Sequence, residues 1–110
     1  MIVEVRRYTT QPGKRDAWIT YMREVVVPFQ ESNGMRVLGQ YTVDDDEDAF
    51  VWMRSFESVE QMREQSEAVY ESAYWTEHVA PVVFEHLVRG ASTVTILRPT
   101  TADALGGVQQ

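Results

Sequence analysis

Seven residues, Phe50-Val51-Trp52-Met53-Arg54-Ser55-Phe56, constrain this chain more than any other stretch. Side chains alternate across a strand with period two, so Phe50, Trp52, Arg54 and Phe56 share one face while Val51, Met53 and Ser55 share the other. One face sets a cation among large aromatic rings; the other is apolar to small. Ile2 to Tyr8 repeats the arrangement, with Val3 and Val5 opposite Glu4, Arg6 and Tyr8. Two charge-bearing strand faces in a 110-residue chain are either a buried ion-pair network or the wall of a pocket.

The rest of the chain supplies helices and turns around these strands. Pro12-Gly13 closes the first strand. Trp18, Met22, Val25 and Phe29 then recur at helical spacing, predicting a helix over 14–32 that Pro28 kinks or shortens. Asn33-Gly34 stops it, because glycine accepts the left-handed conformation at a helix end. A second strand follows over 35–43, with Val37, Gly39, Tyr41 and Val43 on one face. The acidic run 44–48 reads as a hairpin loop; it lacks the glycine and distant glutamate of an EF-hand loop. Ser58 and Gln61 form a capping box at the start of a second helix, whose apolar face is weak. Ser72 restarts a short helical segment that Pro81 interrupts, and 82–88 is ambiguous between helix and strand. Val94 to Arg98 is the last strand, stopped by Pro99.

A β-α-β-β-α-β order predicts an α+β, ferredoxin-like antiparallel sheet with both helices on one face and the first and third strands at its centre. The domain is expected over 1–99, with 100–110 a flexible tail. The uncovered sheet face exposes more apolar surface than a soluble monomer usually tolerates, so the chain is expected to dimerise through the sheet or its edges. By hydrophobicity Val3, Val5, Val51 and Met53 face the helices, which puts the charged aromatic face inside the dimer.

Composition removes several function classes. No cysteine is present, which excludes disulfides, thiolate metal sites and cysteine nucleophiles. A net charge of −7 opposes binding to nucleic acid and to anionic membranes. No apolar run is long enough to span a bilayer and no signal peptide is evident, so a cytoplasmic location is the simplest reading. There is no phosphate-binding loop and no Ser-His-Asp order.

Glu4-x-Arg6-x-Tyr8, Pro12-Gly13-Lys14-Arg15, Gly34-Met35, Phe50-Val51-Trp52-Met53-Arg54-x-Phe56, Tyr70-x-Ser72-x-x-Trp75 and the closing Leu97-Arg98-Pro99 together resemble the NIPSNAP family over about residues 2–99. The resemblance implies a dimeric α+β barrel, built from two ferredoxin-like sheets with helices outside. Related barrels include cofactor-free monooxygenases, haem-degrading enzymes, muconolactone isomerases and polyketide cyclases. The family itself carries no agreed reaction, so the likeness raises a small-molecule site without naming its chemistry.

Three constellations could carry chemistry. Glu4, Arg6, Arg54 and Tyr8 come together if the first and third strands are neighbours. An arginine fork matches a carboxylate or enolate, and Trp52 offers a stacking wall. The alternative is a self-satisfied ion pair that fixes architecture. His78 and His86 are the only side chains whose unperturbed pKa suits proton transfer near neutrality. His86 or His78 is the candidate general base or haem ligand, against the plainer reading of surface histidines. Trp18, Tyr21, Trp75 and Tyr74 line the space between helices and sheet, either as plain core or as the wall of an aromatic pocket.

The leading expectation is a homodimer that binds or transforms a hydrophobic aromatic or polyketide-like molecule, without a metal or cofactor. In that reading Arg54 and Arg6 hold an anionic oxygen, Trp52 and Trp75 stack, and Tyr8 or His86 moves a proton. The alternatives are a non-catalytic binding module, whose cavity its own side chains fill, and a haem-binding or haem-degrading protein.

Overall fold

In the computed structural model, which describes residues 1–101, the chain forms one four-stranded antiparallel sheet with helices on one side. The strands are β1 (Ile2–Thr9), β2 (Arg36–Val43), β3 (Asp46–Phe56) and β4 (Thr93–Leu97), in the spatial order β2-β3-β1-β4. This is the expected ferredoxin-like α+β topology, with the first and third strands central. The expected tail 100–110 lies almost wholly outside the described residues.

Helix α1 spans 15–32 without a break. It runs as α-helix over Arg15–Tyr21, widens to a π-helical turn over Met22–Val26, and returns to α-helix over Val27–Ser32. Helix α2 covers Val59–Tyr70, and α3 covers 75–86 as a π-helical turn Trp75–Val79 followed by α-helix Ala80–His86. Pro81 therefore does not interrupt the last helix, and 82–86 is helical. A proline ring clashes with the carbonyl four residues back. A π turn directly ahead of it opens that spacing and lets the helix continue.

The expected caps are in place. Ser58 Oγ accepts the Gln61 backbone N–H at 3.1 Å, and Gln61 Oε1 accepts the Glu57 N–H at 2.8 Å. Ser72 Oγ accepts the Trp75 N–H at 3.1 Å. Gly34 carries a φ of 90° at the end of α1, the left-handed geometry a helix stop requires. The acidic segment is tighter than read from sequence. Only Asp44 and Asp45 form the turn, because β3 already begins at Asp46.

The sheet presents the opposite face to the helices from the one hydrophobicity suggested. Tyr8, Phe50 and Trp52 pack with Trp18, Met22 and Val26 of α1 and with Val79 and Leu87; Ile2 and Phe56 pack with Val69 of α2 and with Met35. Glu4 and Arg54 belong to this same covered face and are 3% and 1% exposed. Val5, Val51 and Met53 lie on the other face and are half-buried, while Tyr41 and Leu97 there are exposed. The physical reason is pairing: a charge whose hydrogen bonds are met inside the protein can occupy the core side of a strand. A register shift in β2 between Val37 and Gly39 is a second departure from simple alternation. It sends Val37 to the helix side, opposite Arg54, and leaves Gly39 and Tyr41 on the open face opposite Met53 and Val51.

Candidate functional site

The register of the two central strands builds the site. Glu4 stands directly opposite Arg54, Arg6 opposite Trp52 and Tyr8 opposite Phe50. Glu4 bridges both arginines. Its Oε1 accepts Arg6 Nε at 2.9 Å, Arg54 Nε at 2.9 Å and Arg54 Nη2 at 2.5 Å, and its Oε2 accepts Arg6 Nη2 at 3.3 Å. Burial pushes the Glu4 carboxyl up, but the Arg6 hydrogen bond and the Arg54 charge outweigh it and hold the group below its ordinary value. Burial works against the Arg6 cation too, yet the Glu4 bond and the neighbouring Tyr8 and Tyr70 hold its pKa above the ordinary value.

The two arginines then diverge. Arg54 spends its remaining nitrogen on the protein: Nη1 donates to Gln30 Oε1 at 2.7 Å and to Tyr70 Oη at 2.9 Å. Its guanidinium also lies 4.8 Å from the Trp52 ring centre. Arg54 is thus saturated and sits behind the site. Arg6 uses only Nε and Nη2 on Glu4 and has no hydrogen bond to Nη1 among the described residues. Its side chain stays 26% exposed.

Arg6 borders a cavity of about 200 Å³ between the sheet and helices α1 and α3. Tyr8, Trp18, Trp52 and Trp75 line it, with Met22, Val26, Val83 and Leu87 as apolar wall. Tyr70 and Ser92 complete the lining. Burial, and the nearby Tyr70, raise the Tyr8 hydroxyl above its ordinary pKa, with Arg6 opposing. Tyr8 thus holds its proton more firmly than an exposed tyrosine does. The indole nitrogen of Trp18 is buried with no hydrogen-bond partner among the described residues, while that of Trp52 lies against the Tyr8 hydroxyl.

Of the residues singled out from sequence, Arg6, Tyr8, Trp18, Trp52 and Trp75 meet at the cavity, with Glu4 and Arg54 directly behind it. His86 and Tyr74 do not line it. His86 Nδ1 is bonded to the Val82 carbonyl at 2.8 Å, and its ring stacks on Tyr21 on the flank of the helix pair. Tyr74 is 44% exposed and packs on Phe29 and His78. Among the described residues no three metal-ligating side chains converge, and no helix is long and apolar enough to cross a membrane. Two site residues escaped the sequence reading. Gln30 carries no signal there beyond a polar side chain near the end of a helix. Tyr70 does, since it belongs to the Tyr70-x-Ser72-x-x-Trp75 pattern and sits at helical spacing from Met62 and Ser66.

Comparison with known structures agrees with this geometry. An uncharacterized NIPSNAP-like domain protein from Burkholderia xenovorans superposes with a TM-score of 0.81 at 22% identity, covering 92% of this chain and 86% of that one. A NIPSNAP family protein from Agrobacterium tumefaciens gives 0.81 at 22% identity, over 94% and 90% of the two chains. An antibiotic biosynthesis monooxygenase shares the fold at a TM-score of 0.66 and 16% identity, over 92% of this chain and all of that one. These likenesses concern the fold, the four-stranded antiparallel sheet with helices packed on it. No functionally curated protein matches the chain. The NIPSNAP family model matches residues 3–102, nearly the whole chain, and the protein belongs to the NIPSNAP family.

Proposed function

We propose that the protein binds a small, planar, hydrophobic molecule in the cavity between sheet and helices, and that Arg6 holds an oxygen of that molecule. The observation that carries this is the contrast between the arginines. Arg54 is saturated by protein groups, whereas Arg6 keeps a free edge of its guanidinium at the cavity wall. Trp18, Trp52 and Trp75 supply aromatic surface on which a flat molecule can stack. Developing negative charge on an enolate or phenolate oxygen is stabilised by a fixed cation in a site of low dielectric. Tyr8 acts as a donor beside it. Chemistry of the cofactor-free oxygenase or isomerase type is compatible with these groups, and the shared fold with an antibiotic biosynthesis monooxygenase supports it by analogy.

The protein works as a homodimer in this proposal. The open sheet face, with Val5, Val51, Met53, Tyr41 and Leu97, is the surface that a second copy covers. A second reading, a binding module without catalysis, is favoured by one observation: among the described residues no histidine or carboxylate lines the cavity to act as a general base. Haem binding is not carried forward, since neither histidine borders the cavity.

The test is a thermal-shift screen of phenols and aromatic acids on the wild type and on Arg6→Gln. A ligand present at about ten times its Kd should raise Tm by about 5–10 °C for a domain of this size. Arg6→Gln should lower affinity for oxygen-bearing ligands about tenfold or more. Equal shifts in both proteins would remove Arg6 from the site.

A further inference from the structure

The cavity is chemically one-sided, and the residue that makes it so is Tyr70, the last residue of α2. Its hydroxyl oxygen receives an N–H from Gln30 Nε2 at 3.1 Å and another from Arg54 Nη1 at 2.9 Å. A phenol oxygen has two acceptor positions and one proton. Guanidinium nitrogens only donate, so the Arg54 bond cannot reverse. Nor can the Gln30 bond: the amide oxygen of Gln30 is committed to Arg54 Nη1 at 2.7 Å, which leaves its nitrogen facing Tyr70. Gln30 and Arg54 are 0% and 1% exposed, so water does not compete for either bond. With both acceptor positions filled from behind, the Tyr70 hydroxyl has only its proton to give.

Most of the other polar side chains of the cavity are donors as well, although the Tyr8 and Ser92 hydroxyls there can also accept. Arg6 brings a cation with a free N–H edge, and its guanidinium lies 6.0 Å from the Tyr70 ring centre. The Trp18 indole N–H is buried, lines the cavity and has no partner among the described residues, while the Trp52 N–H reaches the Tyr8 hydroxyl. Unpartnered buried donors are rare in folded proteins, and an acceptor in the cavity would satisfy this one. Among the described residues no carboxylate or histidine side chain lines the space. Size narrows the choice further. A cavity of about 200 Å³ falls below the lower end, about 300 Å³, of pockets that enclose drug-sized ligands. It suits one ring rather than a fused polycycle.

Building on the small-molecule reading above, we infer that the ligand is a single-ring phenol bound as its phenolate, with the ionised oxygen held between Arg6 and the Tyr70 hydroxyl. Arg54 and Gln30 are positioning residues that act through Tyr70. No covalent step is involved: the phenol loses its proton to solvent on binding, and the anion is retained.

4-Nitrophenol tests this directly, because its ionised form has a visible absorption band of its own. 4-Nitroanisole has nearly the same shape and cannot ionise. With the full chain, bound 4-nitrophenol should ionise about one pH unit lower than free 4-nitrophenol if the anion is preferred tenfold. 4-Nitroanisole should bind at least tenfold more weakly than the phenolate. Tyr70→Phe keeps the ring and should remove at least half of the shift, weakening 4-nitroanisole less than it weakens the phenolate. Gln30→Leu returns one acceptor position to Tyr70 and should give a smaller reduction of the same kind. If 4-nitroanisole binds as tightly and the bound phenol ionises as it does in water, the phenolate assignment fails while the small-molecule site stands. If neither compound binds the folded protein, both fail. A full shift in a folded Tyr70→Phe protein overturns the role of Tyr70. Should that variant not fold, the wild-type comparison of the two compounds still decides the phenolate assignment.

Discussion

Glu4→Gln should be among the most damaging single substitutions in this protein, although it changes neither shape nor volume. Glu4 is the one carboxylate bonded to either Arg6 or Arg54 among the described residues. An amide keeps one acceptor but turns an NH₂ group toward a guanidinium and leaves two cations facing each other. Removing one partner of a buried pair costs about 3–5 kcal/mol. Arg6 is 26% exposed and recovers part of that loss from water, whereas Arg54 at 1% exposure does not. The expected loss is therefore near the low end, about 3 kcal/mol at pH 7, against a total of about 5–15 kcal/mol for a domain. Urea unfolding followed by tryptophan fluorescence measures it. The pH dependence supplies the sharper check. The folded-state pKa of Glu4 lies below its ordinary value of 4.5, so its stabilisation is fully present above that value and is lost as pH falls through the folded pKa. Acid does to the wild type what the substitution does at neutral pH, so the gap between the two proteins should close below about pH 4.5 and stay open above it. A gap under about 1 kcal/mol at pH 7, the range of exposed pairs, would refute the reasoning, as would one that does not shrink in acid.

Two further outcomes follow from the same structure. Met53→Asp places a charge in the middle of the open sheet face, and it should convert the proposed dimer to monomer in analytical ultracentrifugation without unfolding it; an unchanged mass would move the interface elsewhere. Gly34→Ala puts a side chain where φ is 90° and where its Cβ would lie 3.1 Å from Gln65 Nε2. It should cost about 1 kcal/mol or more in thermal denaturation, since both the backbone and the neighbour must give, and a neutral result would show that the turn relaxes.

The fold was largely legible in the sequence because its signals are local. Period-two alternation in 2–8 and 50–56, the Ser58 and Ser72 caps and the Asn33-Gly34 stop each depend on a few adjacent residues. The orientation of the sheet is not local. Counting hydrophobic side chains favours Val3, Val5, Val51 and Met53 as the covered set, yet the helices pack on Glu4, Arg54 and the aromatic rings. That preference depends on Gln30, Met35 and Tyr70, which reach Arg54 from other elements and satisfy it. A hydropathy reading treats an arginine as costly wherever it sits, and it cannot register partners many residues away. The same limit explains the candidate site. Arg6, Tyr8, Trp18, Trp52 and Trp75 were identifiable as residue types, but the split of roles between Arg6 and Arg54 exists only once the hydrogen bonds are drawn.

The cavity itself owes its shape to a feature repeated in the two halves of the chain. Each of the helices bordering it contains a five-residue π turn, Met22–Val26 in one and Trp75–Val79 in the other. Each turn is closed by a bond spanning five residues, from the Val27 N–H to the Met22 carbonyl and from the Ala80 N–H to the Trp75 carbonyl. In each case a proline follows one residue later, Pro28 and Pro81. A π turn adds a residue to the helical circuit and rotates the side chains that follow relative to a regular helix. In α1 the first and last residues of the turn, Met22 and Val26, line the cavity, and in α3 Trp75 at the start of the turn lines it together with Val83 beyond the turn. Sequence periodicity at 3.6 residues is blind to such a phase change, which is why Pro28 and Pro81 read as kinks or breaks. The prolines are better understood as the residues that hold the widened turns in register.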